Sequence, residues 1–481
     1  MRTGRHEAPR PKSSKRKKTL IITAILLLCV VGFYLFLVYT PNAFVSKWRT
    51  IYIETAMTTL SHKWLATAFL PDRVIQEVMD ASAAIQAQQA EVVSTWGGVE
   101  PAVQAAGPGQ EMEPPTQEPE APTTAQEPEA PAQPIYADVP DVKPQEPEPA
   151  ETPQALEGVR EDHTDLAAAH AAQQALIDAR EQAGALTRSA FYSVYTELDE
   201  QTFEAFLEEH YGYYEDGYGG IVIEDFDNLY DLRTVYDERI LVLDVPNNLI
   251  LMEVTGSDYV GKLAIVKDPR QVYLEPAKGL GSSGYGNTIT QYYDNYNSLV
   301  AINASGFDDP GGEGWGGYVV GTYYAHGKDY TNFHASIYKT FGFRSDYRMY
   351  IENPTTYDSD NYLWAMQFSP ALIVDGEEVV AGSYGWGMQP RSAVGQGADG
   401  SFMLLTVDGR QVGYSIGCTV EDCADILLMH GAYQAMNLDG GSSTVMTYKG
   451  EIITKPSSVT DFGRYLPNAF VIHRADDLPE D

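Results

Sequence analysis

Asn437-Leu-Asp-Gly-Gly-Ser-Ser-Thr444 is the stretch on which the reading of this chain turns. One carboxylate, Asp439, precedes two glycines and three hydroxyl side chains. Ala432, Tyr433, Ala435, Met436 and Leu438 run into it, and Val445-Met-Thr-Tyr448 leads out, so an apolar segment delivers Asp439 to a tight turn. Open backbone N–H groups at Gly440 and Gly441, with the hydroxyls of Ser442, Ser443 and Thr444, suit a sugar or phosphate oxygen. The carboxylate beside them is suited to proton chemistry or to a metal. An ordinary Asp-Gly turn between two strands accounts for the same residues, and the stretch alone leaves both readings open.

Outward from that turn, composition sets limits. The formal charge is −35, yet residues 1–18 carry eight Lys or Arg and one Glu, so the remainder is strongly acidic. Nucleic acid is therefore an unsuitable partner, because phosphate backbones are bound by basic faces. The chain has 32 Tyr against 16 Phe, which fits either carbohydrate platforms or half-buried rings on strands.

Thr19 to Tyr39 is an uncharged run, long enough at about 1.5 Å per residue to cross a bilayer as a helix. It exceeds the apolar core of a usual signal peptide, and Tyr39-Thr40-Pro41-Asn42 replaces the small-residue cleavage site. Lys12, Lys15, Arg16, Lys17 and Lys18 precede the span, and only Lys47 and Arg49 follow closely. The positive-inside rule then predicts a single-pass protein, with residues 1–18 cytoplasmic and the body outside the cell. The expected partner of this helix is the lipid bilayer.

Residues 40–96 read as a helical membrane-proximal stalk, with Ile51, Ile53, Met57, Leu60, Trp64, Leu65 and Phe69 at intervals of three to four, and Pro71-Asp72 opening a second helix. Residues 97–160 repeat Gln117-Glu-Pro-Glu-Ala-Pro122 at Gln126–Pro131 and vary it at Gln145–Pro149, the composition of an extended, disordered spacer. An Ala-rich helix and an acidic, Tyr-rich extension are expected over 161–234. Cys418 and Cys423 are compatible with a small disulfide loop or with two free buried thiols.

From about residue 235 the pattern is α+β. Short apolar runs at 240–245, 249–254, 263–266, 299–302, 371–374, 402–407 and 470–472 predict a mixed or mostly antiparallel sheet. Asp375-Gly376, Asp399-Gly400 and Asp408-Gly409 mark turns, and 422–431 predicts a helix closed by Gly431.

Five blocks in this region, taken in order, resemble the phosphodiester glycosidase family over roughly residues 235–474. They are Val300-Ala-Ile-Asn-Ala-Ser-Gly-Phe307, Ser369-Pro-Ala-Leu-Ile-Val-Asp-Gly376, Pro390-Arg-Ser-Ala-Val-Gly395 running through Asp399-Gly400 to Val407-Asp-Gly-Arg410, Asp439-Gly-Gly-Ser-Ser443 and Arg464-Tyr-Leu-Pro-Asn-Ala469. The first departs from the family pattern, which favours two glycines and two aromatics after the asparagine. The resemblance implies hydrolysis of a sugar joined through its anomeric carbon to a phosphodiester, on an extracellular glycan or a small sugar phosphodiester. In a bacterial envelope, wall polymers and exopolysaccharide would be the substrates. A phosphodiester leaves more readily than an alkoxide, so the site needs a phosphate-binding group and a carboxylate more than a strong acid. Asp439 is expected as base or nucleophile, Arg391 as the phosphate fork, and Asn303 as a hydrogen-bonding residue. Glu313, in a glycine-rich loop, is a second carboxylate candidate, and His334 a possible substrate contact. No spacing demands a cofactor, although Asp and Asn around an anionic substrate are compatible with calcium or magnesium. Two other activities fit the same residues: a non-catalytic polysaccharide-binding module, and a metal-dependent phosphodiesterase cleaving P–O.

Overall fold

The computed structural model describes residues 13–58, 63–89, 92–96, 186–211, 217–281, 284–309, 314–331, 335, 338–354 and 358–478. The expected spacer at 97–160, the Ala-rich helix that follows it, Glu313 and His334 lie outside the described residues.

The C-terminal half is built on a nine-stranded antiparallel sheet. Its spatial order is Val222–Glu224, Arg239–Asp244, Leu249–Thr255, Val260–Val266, Phe402–Val407, Arg391–Gly397, Ala432–Asn437, Ala371–Val374 and Glu377–Glu378. Its central strands read as continuous apolar runs because both faces are covered. Alternate residues separate cleanly: Leu249, Leu251, Phe402 and Leu404 enter one core, and Ile250, Met252, Met403 and Leu405 the other.

The first core is closed by two five-stranded antiparallel sheets. One runs Glu451–Ile452, Met446–Tyr448, Val300–Asn303, Asn468–Ile472, Val272–Pro276; the other runs Met349–Glu352, Lys339–Phe343, Trp364–Phe368, Tyr323–Ala325, Lys328–Asp329. The second core is closed by helices Arg188–Val194, Glu200–His210 and Val420–Met429. The last of these starts on a capping box: Thr419 Oγ1 accepts from Asp422 N (3.1 Å) and Asp422 Oδ2 accepts from Thr419 N (2.7 Å). Gly431 follows its end at φ +83°, a conformation that favours glycine. Phe191, Phe203 and Leu207 insert into this core, so the acidic, Tyr-rich segment is part of the body.

Ser13–Tyr39 is a helix whose Thr19–Tyr39 portion is long and apolar enough to cross a membrane, with its flanks exposed. The helices after it, Ala43–Thr58, Trp64–Thr67 and Asp72–Gln88, were expected to form a stalk. Instead they fold back onto the sheet domain. Buried Glu54 accepts hydrogen bonds from Ser82 (2.7 Å) and from Ser383. Gln89 completes the edge of strand Ala371–Val374: its Oε1 accepts from Ala371 N (3.0 Å) and its Nε2 donates to Val379 O (2.7 Å). Trp96 is 1 % exposed, lies against Tyr433 at 5.0 Å between ring centroids, and donates Nε1–H to Met349 O. In the sequence Glu54 and Gln89 are only polar points on or just after amphipathic helices and Trp96 a lone aromatic beyond them; their partners in the sheet domain lie some two hundred and fifty to three hundred and thirty residues away.

Candidate active site

Asn303 closes strand Val300–Asn303, which lies between Met446–Tyr448 and Asn468–Ile472. Its side chain is a tie between three segments. Oδ1 accepts from Ser392 Oγ (2.7 Å) and Val445 N (3.3 Å), and Nδ2 donates to Asp439 O (2.7 Å). Three of the four hydrogen-bonding positions of the amide are thus filled from within the protein. Asn303 therefore places the Asp439 turn and does not present its amide to a ligand. A second tie lies beneath: Asn468 accepts from Ser305 N (2.9 Å) and donates to Ser305 Oγ (2.9 Å).

Strand Ala432–Asn437 carries the chain to Asp439, whose N–H reaches Ala304 O at 3.2 Å. The carboxylate is partly buried. Burial pushes its pKa up to about 6, against a hydrogen bond from Ser443, the charge of Arg464 and the N–H of Gly440; the nearby Asp309 adds to the rise. Near neutrality such a group is mostly ionised yet accepts a proton readily.

The turn itself is less open than its composition suggests. Gly441 N donates to Pro390 O (2.8 Å), Ser443 N to Gly440 O (3.2 Å) and Thr444 N to Gly441 O (3.3 Å). Its N–H groups thus largely hold the turn together. Gly441 has φ +62°, and a Cβ there would sit 3.0 Å from Arg410 Nη2. The glycine is needed for both the backbone and the guanidinium above it. Ser442 Oγ faces the site and accepts from Arg464 Nη1 at 3.1 Å, whereas Ser443 and Thr444 are buried.

Two arginines flank this turn, and neither is Arg391. Arg464 Nη1 reaches Asp309 Oδ2 (3.2 Å) and Ser442, and Nη2 reaches Asp309 Oδ1 (2.9 Å) and Gly314 O (2.9 Å). Arg410 donates from Nη2 to Gln389 Oε1 (2.7 Å); crowding by protein and by the Arg391 charge disfavours its charged form, and Asp439 favours it. Arg391, expected as the phosphate fork, is buried away from the turn. It donates to Gly387 O (2.8 Å) and Cys418 O (3.4 Å) and lies over the Trp386 ring at 5.6 Å. Strand alternation explains the difference: Ser392 faces Asn303, so Arg391 faces the opposite side. Asp408 is likewise more than a turn residue. It is buried and accepts from Lys455 N (2.9 Å) and Tyr414 OH (2.9 Å).

The structure thus brings together Asp439, Asn303, Gly440, Gly441 and Ser442, adds Arg464, Arg410, Asp309 and Ser392, and removes Arg391. Arg464 and Arg410 both stand inside recognisable sequence blocks, but nothing in the spacing marks them as the residues facing Asp439. Among the described residues no cluster of three or more His, Cys, Asp or Glu is placed to hold a metal. A calcium or magnesium ion between Asp439 and Asp309 would have to displace Arg464, so the donor set suits an anion better. Cys418 and Cys423 are free and buried, with sulfur atoms 3.4 Å apart.

Residues 296–473 match the phosphodiester glycosidase family. A relative from Bacillus subtilis (strain 168), the SPbeta prophage-derived uncharacterized protein YomE, is 28% identical over 196 residues. The match takes in 38% of this chain and 29% of that protein, so the chain spans under a third of the relative's length. Among solved structures, the zebrafish N-acetylglucosamine-1-phosphodiester alpha-N-acetylglucosaminidase catalytic domain, auto-inhibited by its pro-peptide, is 20% identical with a TM-score of 0.39, covering 47% of this chain and 82% of that one. A hypothetical protein from Synechocystis is 14% identical with a TM-score of 0.35, covering 49% and 63%.

Proposed function

We propose, taking residues 296–473 as a phosphodiester glycosidase domain, that this chain hydrolyses sugar-1-phosphodiester linkages of envelope or exopolysaccharide glycans at the outer face of a membrane. The observation that carries this reading is a carboxylate poised near neutrality beside a turn flanked by two guanidinium groups. Arg410 over Gly441 offers donors for the non-bridging oxygens of a phosphodiester, and Arg464, whose Nη groups are engaged by Asp309, Ser442 and Gly314, adds positive charge beside them. Asp309 holds Arg464 by two hydrogen bonds and so fixes the position of that charge. Asp439, mostly ionised at pH 7, takes a proton from water as the water oxygen bonds the anomeric carbon. The bond from that carbon to the phosphate oxygen breaks, its electron pair leaves with the phosphomonoester, and Asp439 returns its proton to solvent. Attack by Asp439 itself, followed by hydrolysis of the glycosyl ester, uses the same geometry.

Packing supports a retained anchor over a cleaved leader. Val38, at the end of the apolar helix, is buried with Ile53, Ala56 and Ile75, and Arg49 Nη1 donates to Leu37 O (3.1 Å) and Thr40 O (3.2 Å). The end of the span is therefore continuous with the folded body. The test uses the full chain in detergent with a panel of sugar phosphodiesters, including a UDP-N-acetylglucosamine type, and follows free sugar beside Asp439→Asn. Release that vanishes in the variant supports the proposal; a panel untouched by the parent protein sinks it.

A further inference from the structure

Three loops meet beside Arg464, and their aromatic rings remain at the surface. Trp315 is 55% exposed, Tyr285 54% and Phe462 37%. Trp315 lies 5.5 Å from Tyr285 and 5.5 Å from Tyr465 between ring centroids, and Tyr465 lies 5.9 Å from Phe462. The cluster is continuous with the site. Tyr465 follows Arg464 in the chain, and Trp315 follows Gly314, whose carbonyl accepts from Arg464 Nη2 at 2.9 Å.

The rings are held by backbone contacts that only glycine permits. Gly286 N donates to Trp315 O (2.7 Å), and Leu466 and Asn287 exchange hydrogen bonds of 2.8 and 2.9 Å. Gly316 has φ +65°, and a Cβ there would collide with the Tyr465 carbonyl; one on Gly317 would collide with the Gly284 carbonyl. Large exposed rings on locked loops lose little freedom when something stacks on them, which is the physical basis of a prearranged binding surface. An exposed aromatic cluster bordering a polar site marks a ligand surface.

We propose that Trp315 stacks a pyranose ring of the substrate's glycan, beside the sugar whose phosphodiester bond is broken, with Tyr285, set at 77° to it, and Tyr465, set at 42°, as the walls of the subsite. This rests on the hydrolase reading above. A pyranose fits because its C–H face is apolar while its rim is hydroxylated, matching the exposed Trp315 ring beside the polar Arg464, Asp309 and Ser442. The subsite gives the enzyme a preference for polymer-borne linkages over isolated sugar phosphodiesters.

The test titrates oligosaccharides of N-acetylglucosamine and of glucose into the full chain in detergent. It uses the Asp439→Asn background, so that binding is read without turnover, by calorimetry and intrinsic fluorescence. The expected result is binding that weakens about tenfold in Trp315→Ala and is largely restored in Trp315→Phe, with unchanged melting. Equal affinity in Trp315→Ala, or no binding of either sugar series, overturns the subsite. Trp315-dependent binding by a protein that hydrolyses no sugar phosphodiester keeps the subsite and rejects the hydrolase reading.

Discussion

Replacing Ser443 by alanine tests whether the Asp439 environment sets the working pH. Burial raises the carboxyl, and the Ser443 hydrogen bond is the largest of the effects holding it near 6. A hydrogen bond to a charged group contributes about 1.5–3 kcal/mol. At about 1.36 kcal/mol per pH unit, its loss moves the carboxyl from about 6 to between about 7 and 8. At pH 7 the parent is ionised by about ten to one, whereas the variant falls to between about one-half and one-tenth ionised. The acidic limb of kcat/KM against pH should therefore move up by about one to two pH units. Activity at pH 7 should drop about two- to tenfold, and the plateau near pH 9 should stay intact. The assay is kcat/KM between pH 5 and 9.5 on the best sugar phosphodiester, with thermal melts to confirm folding. A limb left at pH 6 with a plateau lowered at every pH would refute the reasoning and make Ser443 a substrate contact.

Other substitutions separate positioning from binding. Asn303→Ala strands Ser392 Oγ and Val445 N without their acceptor, and denaturant melts should show a loss of about 2–4 kcal/mol. Arg391→Gln should lower the melting temperature with little change in KM, because it is buried on the far side of its strand with its donors on Gly387 and Cys418; Arg464→Gln, which removes the positive charge beside Asp439, should instead raise KM for a phosphodiester about tenfold or more. Asp439 has a raised carboxyl, so the folded state binds the proton more tightly than the unfolded one. Its burial destabilises the protein above pH 6, by up to about 3 kcal/mol, and this penalty fades as pH falls towards 4. Asp439→Asn should accordingly melt higher than the parent at pH 7.5 and equally at pH 4. Removing residues 1–96 uncovers the Trp96 and Gln89 seats, and residues 97–481 alone should melt lower and bind a hydrophobic dye.

Much of the fold was legible because each central strand of the large sheet needs apolar residues on both faces. The runs at 249–254, 263–266 and 402–407 appear as strands at Leu249–Thr255, Val260–Val266 and Phe402–Val407. Asp399-Gly400 turns between strands Arg391–Gly397 and Phe402–Val407, as the dipeptide suggests. The docking of residues 43–96 was not legible, since Glu54, Gln89 and Trp96 gain meaning only from Ser383, Ala371 and Tyr433. Within the site, the turn and Asp439 were readable as a motif. The choice among arginines was not, because Arg391, Arg410 and Arg464 all sit in motif-like blocks and only the face each presents decides its role. Alternation along Arg391–Gly397 holds that information, once Ser392 is known to face Asn303.

The most direct measurement of the central claim runs the reaction in oxygen-18 water and weighs both products by mass spectrometry. Cleavage at the glycosidic carbon puts the heavy oxygen in the released sugar and leaves the phosphomonoester unlabelled, which is the predicted result. Label in the phosphate would mean P–O cleavage and would contradict the placement of Asp439 at the anomeric carbon.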